Sequence, residues 1–249
     1  TKILDIYIDG SNTEVIKENQ EGCIIIDTCP FYAESGGQIG DSGIVFSDFG
    51  KFKVFDTQKY GVTNLLFGKQ VEGSFKSKDE VLAKIDSEKR NRIKINHSAT
   101  HLLHSALIKN IDNNVKQKGS LVSDEKLRFD FSCDKALNKK ALRKIEDEVN
   151  NNIDKNISSK TQIMNKDQAI EEGAMALFGE KYDDEVRVLS FGDISTELCG
   201  GTHVNNTGDI GVFKILSESS VSSGIRRIEA ITGMSANDYL KKRDNLVSD

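Results

Sequence analysis

The first third of the chain alternates short apolar runs with turn residues. The runs are four to six residues long and are separated by segments rich in Gly, Asn and Asp. They lie at residues 3–8, 22–27, 43–46, 52–55 and 64–67. Short, closely spaced strands of this kind are typical of a small barrel. We therefore expect an N-terminal β-barrel domain over residues 1–88.

The rest of the chain mixes helical and strand periodicity. Helices are predicted from a cap at Asn96 onward and at 139–157 and 166–177, and strands at 119–122, 126–131, 161–164, 186–189, 211–216 and 225–231. No βαβ unit repeats, so the pattern predicts an α+β fold with an antiparallel sheet. We expect this second domain to span residues 89–240 and a truncated helical linker to begin at 241–249.

Composition and charge limit the class of protein. The 249 residues are 37% hydrophobic and 29% charged, with no long apolar run, no leader and no cysteine framework. These features are typical of a cytoplasmic protein without a membrane partner. Residues 1–86 carry the whole net charge of −5, and residues 87–249 have a net charge of zero. Basic clusters in this second part, such as 89–92 and 226–227, could therefore face phosphate. The first residue is Thr1 and the sequence ends within a helical pattern, which indicates a fragment of a longer protein.

Two short segments offer metal-binding side chains four residues apart. His97 and His101 lie one helical turn apart, on the same face. Cys199 and His203 flank two glycines that allow a tight turn. One thiolate and three imidazoles make a ligand set suited to Zn²⁺, although the helical pair alone could equally be two packed histidines. His104 lies too far along the helix to share an ion with His97, and we interpret it as an outer neighbour or a surface residue.

The role of such an ion stays open at this point. Four protein ligands would close the site, as in structural zinc, whereas catalysis needs an exchangeable position. We favour an ion with one loosely held ligand. The metalloprotease helix His-Glu-x-x-His is absent, and Cys199 is better placed as a ligand than as a covalent nucleophile.

Seven segments then carry a resemblance to a known family. They include His97-Ser-Ala-Thr-His101 and Cys199-Gly-Gly-Thr-His203. The full set lies at residues 28–41, 96–104, 115–122, 128–131, 174–182, 197–203 and 225–230. In this order they resemble the editing domain of alanyl-tRNA synthetase, with the free-standing trans-editing proteins of the AlaX type as near relatives. Only the residue before the single proline, Cys29, departs slightly from the expected form.

The resemblance implies a reaction and a partner. The reaction is the zinc-dependent hydrolysis of the ester that links a wrongly attached serine or glycine to the 3′ acceptor end of tRNA(Ala). Residues 89–240 would then be the zinc-binding editing deacylase domain. The parent would be an ATP-binding ligase of protein biosynthesis that dimerises through a C-terminal region absent here. A synthetase of this kind needs a separate hydrolytic site, because the aminoacylation pocket, which is sized for alanine, cannot exclude glycine and rejects serine only weakly.

The resemblance also suggests residues beyond the four ligands. Gln117 would lie at the pocket and contact the serine side chain. Thr100 is a second candidate, although a helix threonine often bonds its own backbone instead. The glycine loop at 35–40 would contact the terminal adenosine or its phosphates through backbone N–H groups. We expect Gly37→Val to leave the fold and zinc content intact but to reduce deacylation.

Other functions remain open. Within the same chemistry, the chain could be a free-standing trans-editing deacylase. It could also be a tRNA-binding module with structural zinc and no turnover. A zinc hydrolase acting on unrelated esters or peptides would leave the glycine loop and the seven segments unexplained.

Overall fold

The computed structural model describes residues 1–176 and 182–248. Their side chains are described as far as Asn245. The end of the predicted helix 166–177, part of the segment 174–182 and the last residue of the predicted linker 241–249 lie outside the described residues. The chain divides into two compact units. The first comprises Thr1–Ser35 and Ile39–Arg90, and the second comprises Gly36–Gln38 and Asn91–Asp249.

The first unit is built from antiparallel strands. They are β1 (Ile3–Ile8), β2 (Ser11–Thr13), β3 (Val15–Lys17), β4 (Glu21–Ile26), β5 (Gly43–Ser47), β6 (Gly50–Tyr60), β7 (Thr63–Lys76) and β8 (Leu82–Ile85). The sheet runs in the order β2-β1-β4-β7-β6-β5-β8, and β3 pairs with β7. Alternation buries one side of each strand, as Phe52 and Val54 of β6 illustrate. The buried residues form a core of isoleucine, valine and phenylalanine side chains.

The predicted β-barrel is wrong as a description of this unit. A barrel requires every strand to pair on both sides so that no edge remains. Within the described chain, β2 and β8 stand at the two ends of the pairing order and do not pair with each other. Lys2 and Glu80 form an isolated bridge, which is a local contact and does not close the sheet. The unit is an open antiparallel sheet.

In the described residues, the second unit contains two further antiparallel sheets and four helices, the first of which begins in the first unit. The strands are β9 (Gln117–Val122), β10 (Leu127–Ser132), β11 (Ser159–Asn165), β12 (Glu185–Phe191), β13 (Ser195–Leu198), β14 (Phe213–Ser222) and β15 (Ile225–Thr232). One sheet has the order β14-β15-β10-β9 and the other β11-β12-β13. The helices are α1 (Ser87–Asn110), α2 (Lys139–Asp154), α3 (Lys166–Glu171) and α4 (Gly233–Ser248), with a short 3₁₀ helix at Thr207–Ile210. The predicted α+β class with antiparallel pairing is confirmed.

Helix α1 begins nine residues earlier than the predicted cap at Asn96. The carboxylate of Asp86 accepts the backbone N–H of Lys89 at 3.0 Å and so caps the helix in place of Asn96. Asn96 is buried in mid-helix, where its amide donates to the carbonyl of Ser123 and accepts from the hydroxyl of Thr232. The metal-binding pair therefore lies in the middle of a long helix and not at its start.

A single apolar core holds α1 in the second unit. The helix contributes a stripe that includes Leu103 and Leu107, which packs with Phe129 of β10 and Val149 of α2. All four side chains are completely buried. This core holds in place the helix that carries His97 and His101. In the described residues, no helix combines the length and the hydrophobicity needed to cross a membrane.

Candidate metal centre

Four predicted metal ligands meet in the second unit. His97 and His101 lie on successive turns of α1, Cys199 directly follows β13, and His203 lies in the loop that follows. One ligand atom from each of the four lies within 4.8 Å of the others, and all four residues are buried. The helical spacing and the glycine turn thus bring together the four side chains that the sequence predicted.

Each imidazole is held through its Nδ1 atom. Nδ1 of His97 lies 2.7 Å from the amide oxygen of Gln38, and Nδ1 of His101 lies 2.9 Å from a carboxylate oxygen of Glu197. Nδ1 of His203 lies 3.2 Å from the hydroxyl of Ser98. An outer partner on one ring nitrogen fixes the direction of the other, which is the usual arrangement around a protein-bound metal.

The Nε2 atoms face the cluster. Nε2 of His203 lies 3.2 Å from the sulfur of Cys199, and Nε2 of His97 lies 3.6 Å from it. Nε2 of His101 is buried and has no hydrogen-bond partner among the described residues. A buried polar atom without a partner is rare, because its desolvation is not compensated. A cation bound by the cluster would supply that partner.

The charge state of the cluster also suits a cation. Burial raises the pKa of the Cys199 thiol, but His97 and His203 lower it by more, so its pKa lies well below the ordinary value. Burial and the neighbouring His97 lower the pKa of His203 to about 3. Burial lowers the pKa of His101, yet Glu197 and Cys199 raise it by more. A thiolate and neutral imidazoles are the forms that bind metal, and the proton on His101 would leave on binding.

Close backbone approach at Gly201 completes the packing of the site. A Cβ atom at this position would lie 2.0 Å from Cε1 and 2.4 Å from Nδ1 of His97. The adjacent Gly200 has no atom within 4 Å of such a Cβ. Only the second glycine of the turn is therefore required for the His97 ring to occupy its place.

These observations fit a metal ion. The donor set is one thiolate and three imidazoles, the ring nitrogens have outer partners, and one ligand nitrogen lacks any other partner. Nitrogen and sulfur donors of this kind select borderline or soft cations over Mg²⁺ or Ca²⁺. The cluster of His97, His101, Cys199 and His203 could therefore bind a metal ion.

The remaining predicted residues differ in their surroundings. Thr100 is buried on α1, and its hydroxyl donates to the backbone carbonyl of Asn96 at 2.9 Å, which is the alternative that the sequence left open. Gln117 opens β9 opposite Phe131 and is half-buried. Gly37 has a φ of +82° and precedes Gln38, whose side chain reaches His97.

Sequence reasoning missed the outer partners of the site. Gln38 and Glu197 fall within the segments 28–41 and 197–203, but no individual role was predicted for either of them or for Ser98. His104 was predicted to be an outer neighbour of the site or a surface residue. The structure agrees with the first alternative, because His104 is buried and its Nδ1 lies 3.5 Å from a carboxylate oxygen of Glu197. The sequence signal for Glu197 was an acidic residue two positions before the predicted ligand Cys199, because carboxylates commonly hold metal-binding imidazoles.

Comparison with protein families defines the class. Residues 1–89 match the family of class II (A) tRNA synthetases, and residues 186–229 match the second additional domain of threonyl and alanyl tRNA synthetases. The second match includes Cys199 and His203. Two parts of the chain thus match domains of class II aminoacyl-tRNA synthetases, which are enzymes of protein biosynthesis that act on tRNA.

The combination of the two matches is more particular. It is consistent with a fragment related to the editing region of alanyl-tRNA synthetase. The resemblance drawn from the seven sequence segments is confirmed at this level.

Proposed function

We propose that the chain is an editing deacylase that hydrolyses the ester of Ser-tRNA(Ala) and Gly-tRNA(Ala) at a zinc site. His97, His101, Cys199 and His203 would hold the ion. The observation that carries the proposal is the convergence of one thiolate and three imidazole nitrogens, each ring having an outer hydrogen-bond partner. Two of the four residues, Cys199 and His203, lie in the part of the chain that matches the second additional domain of threonyl and alanyl tRNA synthetases. Zinc is favoured because this set of soft and borderline donors is typical of its sites.

The residues of the chain prepare the site before any substrate arrives. Glu197 accepts from His101, and Ser195 donates to Glu197 at 2.8 Å, so the carboxylate is itself fixed. All of these groups are buried, which keeps bulk water away from the donors. When bound, zinc would supply a Lewis acid beside the scissile ester. Catalysis by direct coordination would still require one of the four ligands to be exchangeable.

Recognition of serine would depend on polar side chains near the four ligands. Gln117 and Thr100 remain our candidates. The hydroxyl of Thr100 uses its proton on the helix backbone, so its lone pairs are available to accept from a serine hydroxyl. Alanine has no hydroxyl to donate, so the site would hold it less well.

The proposal is tested by deacylation of Ser-tRNA(Ala) beside Ala-tRNA(Ala), with the zinc content measured on the same preparation. Cys199→Ala should lose both zinc and serine-selective hydrolysis. Cys133→Ala is the matched control, because Cys133 is a free cysteine outside the cluster and should retain both. Equal activity of Cys199→Ala and Cys133→Ala would refute a reaction at this site.

One observation favours a second function, a tRNA-binding module with structural zinc. All four ligand residues are buried, and four protein ligands are typical of closed structural sites. In that case the zinc-loaded chain would bind tRNA(Ala) but leave Ser-tRNA(Ala) intact. The same deacylation assay on the full-length parent would also leave Ser-tRNA(Ala) intact.

A further inference from the structure

Gln38 is a buried polar side chain with a defined set of partners. It is completely buried, at 0% exposure. Its amide oxygen lies 2.7 Å from Nδ1 of His97 and accepts the backbone N–H of Thr202 at 2.9 Å. Its amide nitrogen donates to the hydroxyl of Thr202 at 3.0 Å. Every polar atom of the side chain is thus in use.

These contacts fix the proton on His97. A backbone N–H can only donate, so the amide atom that faces Thr202 N must be the oxygen. The same oxygen faces Nδ1 of His97, so Nδ1 must carry a proton to donate. In a neutral imidazole, Nε2 then holds the free lone pair, and this is the atom that faces Cys199.

The segment Gly36–Gln38 is itself held tightly. The backbone N–H of Val122 donates to the carbonyl of Gly37 at 2.7 Å, and Gln38 forms a parallel bridge with Val122. A Cβ at Gly37 would lie 2.5 Å from the carbonyl oxygen of Ser120. Glycine at this position therefore allows the approach that brings the next side chain to His97.

The backbone of Gly201 also packs against the ring of His97 and the amide of Gln38, with no space for a side chain at position 201. A Cβ at Gly201 would lie 2.0 Å from the His97 ring and 3.0 Å from the amide oxygen of Gln38. The amide of Gln38, the ring of His97 and the backbone of Gly201 therefore pack directly against one another.

From this geometry we infer that Gln38 is a positioning residue of the metal centre, which sets the Nδ1-protonated tautomer and the direction of His97. The affinity of the centre for zinc then depends on the glycine loop. The inference rests on the proposed function in taking the four clustered residues as zinc ligands, but it needs no deacylase activity. Removal of an outer partner of a zinc-bound histidine typically weakens metal binding about 10- to 100-fold.

The test is the zinc affinity of the whole chain, measured by competition with a chromophoric chelator. Gln38→Met keeps the length but removes the acceptor and should weaken zinc binding about 10- to 100-fold. Gln38→Glu keeps an acceptor oxygen and should restore much of the affinity. Gln162→Met, on the exposed side of β11, is the matched control and should bind like the unchanged chain.

A second measurement holds even if Gln38→Met fails to fold. Long-range ¹H–¹⁵N NMR of the zinc-loaded, unchanged chain should find His97 protonated at Nδ1 and bound through Nε2. Binding through Nδ1 would overturn the inference. So would a folded Gln38→Met variant with the affinity of the control, or a Gln38→Glu variant as weak as Gln38→Met. If the unchanged chain bound no zinc, the zinc site of the proposed function would fail instead, so the two failures are distinguishable.

Discussion

Gly201→Ala is the smallest change that should dismantle the metal centre. The added methyl group would lie 2.0 Å from Cε1 of His97, and real Cβ atoms essentially never come closer than 3.0 Å to another heavy atom. The His97 ring must therefore move by about 1 Å or more, because the packed interior around it offers no other room. The adjacent Gly200→Ala meets nothing within 4 Å and is the matched control.

The size of the effect follows from zinc coordination. Zinc–nitrogen bonds are about 2.0 to 2.1 Å long, and bound sites hold them within about 0.2 Å. A shift of about 1 Å thus removes His97 from the ligand set. Loss of an outer partner costs about 10- to 100-fold in affinity, so loss of a ligand should cost more than about 100-fold. A 100-fold loss corresponds to about 2.8 kcal/mol of binding free energy.

The assay is zinc competition with a chromophoric chelator, run on both alanine variants and on the unchanged chain. Circular dichroism and urea unfolding of each zinc-free protein would establish that the variants are folded. Gly200→Ala should bind zinc as the unchanged chain does. The reasoning is refuted if folded Gly201→Ala binds zinc as tightly as Gly200→Ala.

Four other substitutions probe the site, the core and the exposed surface. Glu197→Gln removes the carboxylate that holds His101 and should weaken zinc binding about 10- to 100-fold in the same competition assay; unchanged affinity would contradict its outer role. Phe129→Ala should lower the free energy of unfolding by about 3 to 5 kcal/mol in urea titrations, because the ring is completely buried; a loss below about 1 kcal/mol would show that this core is misjudged. Val62→Ala, at a position 99% exposed, should change it by less than about 0.5 kcal/mol. The structure changes the expectation for Gly37→Val, which should weaken zinc binding as well as deacylation, since a Cβ at Gly37 would meet the carbonyl oxygen of Ser120 at 2.5 Å and so displace the adjacent Gln38; retention of full zinc affinity would uncouple the loop from the metal centre.

Local periodicity predicted the elements of the fold better than their assembly. The stripe at Leu142, Ile145, Val149 and Ile153 correctly indicated α2, and the alternation at 126–131 indicated β10. The barrel was wrong because closure depends on which strands pair at the edges, and alternation within a strand carries no such information. Strand β13 was missed because only four residues form it and three of them are polar.

In the candidate site, too, features formed by residues close in sequence were predicted, and contacts between residues far apart in sequence were not. Ligand pairs at a spacing of four residues are local, so the helix and the turn could be recognised from sequence. The partners of Gln38 lie 59 and 164 residues away, at His97 and Thr202. A glutamine in a glycine loop gives no sign of such contacts, because they arise only when the chain folds. The predicted contact of Gln117 with serine stays a prediction.

The most direct test of the account is the rate at which the zinc-loaded chain deacylates Ser-tRNA(Ala) relative to Ala-tRNA(Ala), measured beside Cys199→Ala and Cys133→Ala. The account predicts serine-selective hydrolysis that disappears with the zinc in Cys199→Ala and persists in Cys133→Ala. Intact Ser-tRNA(Ala) in the presence of zinc-loaded chain, and of the zinc-loaded full-length parent, would contradict it.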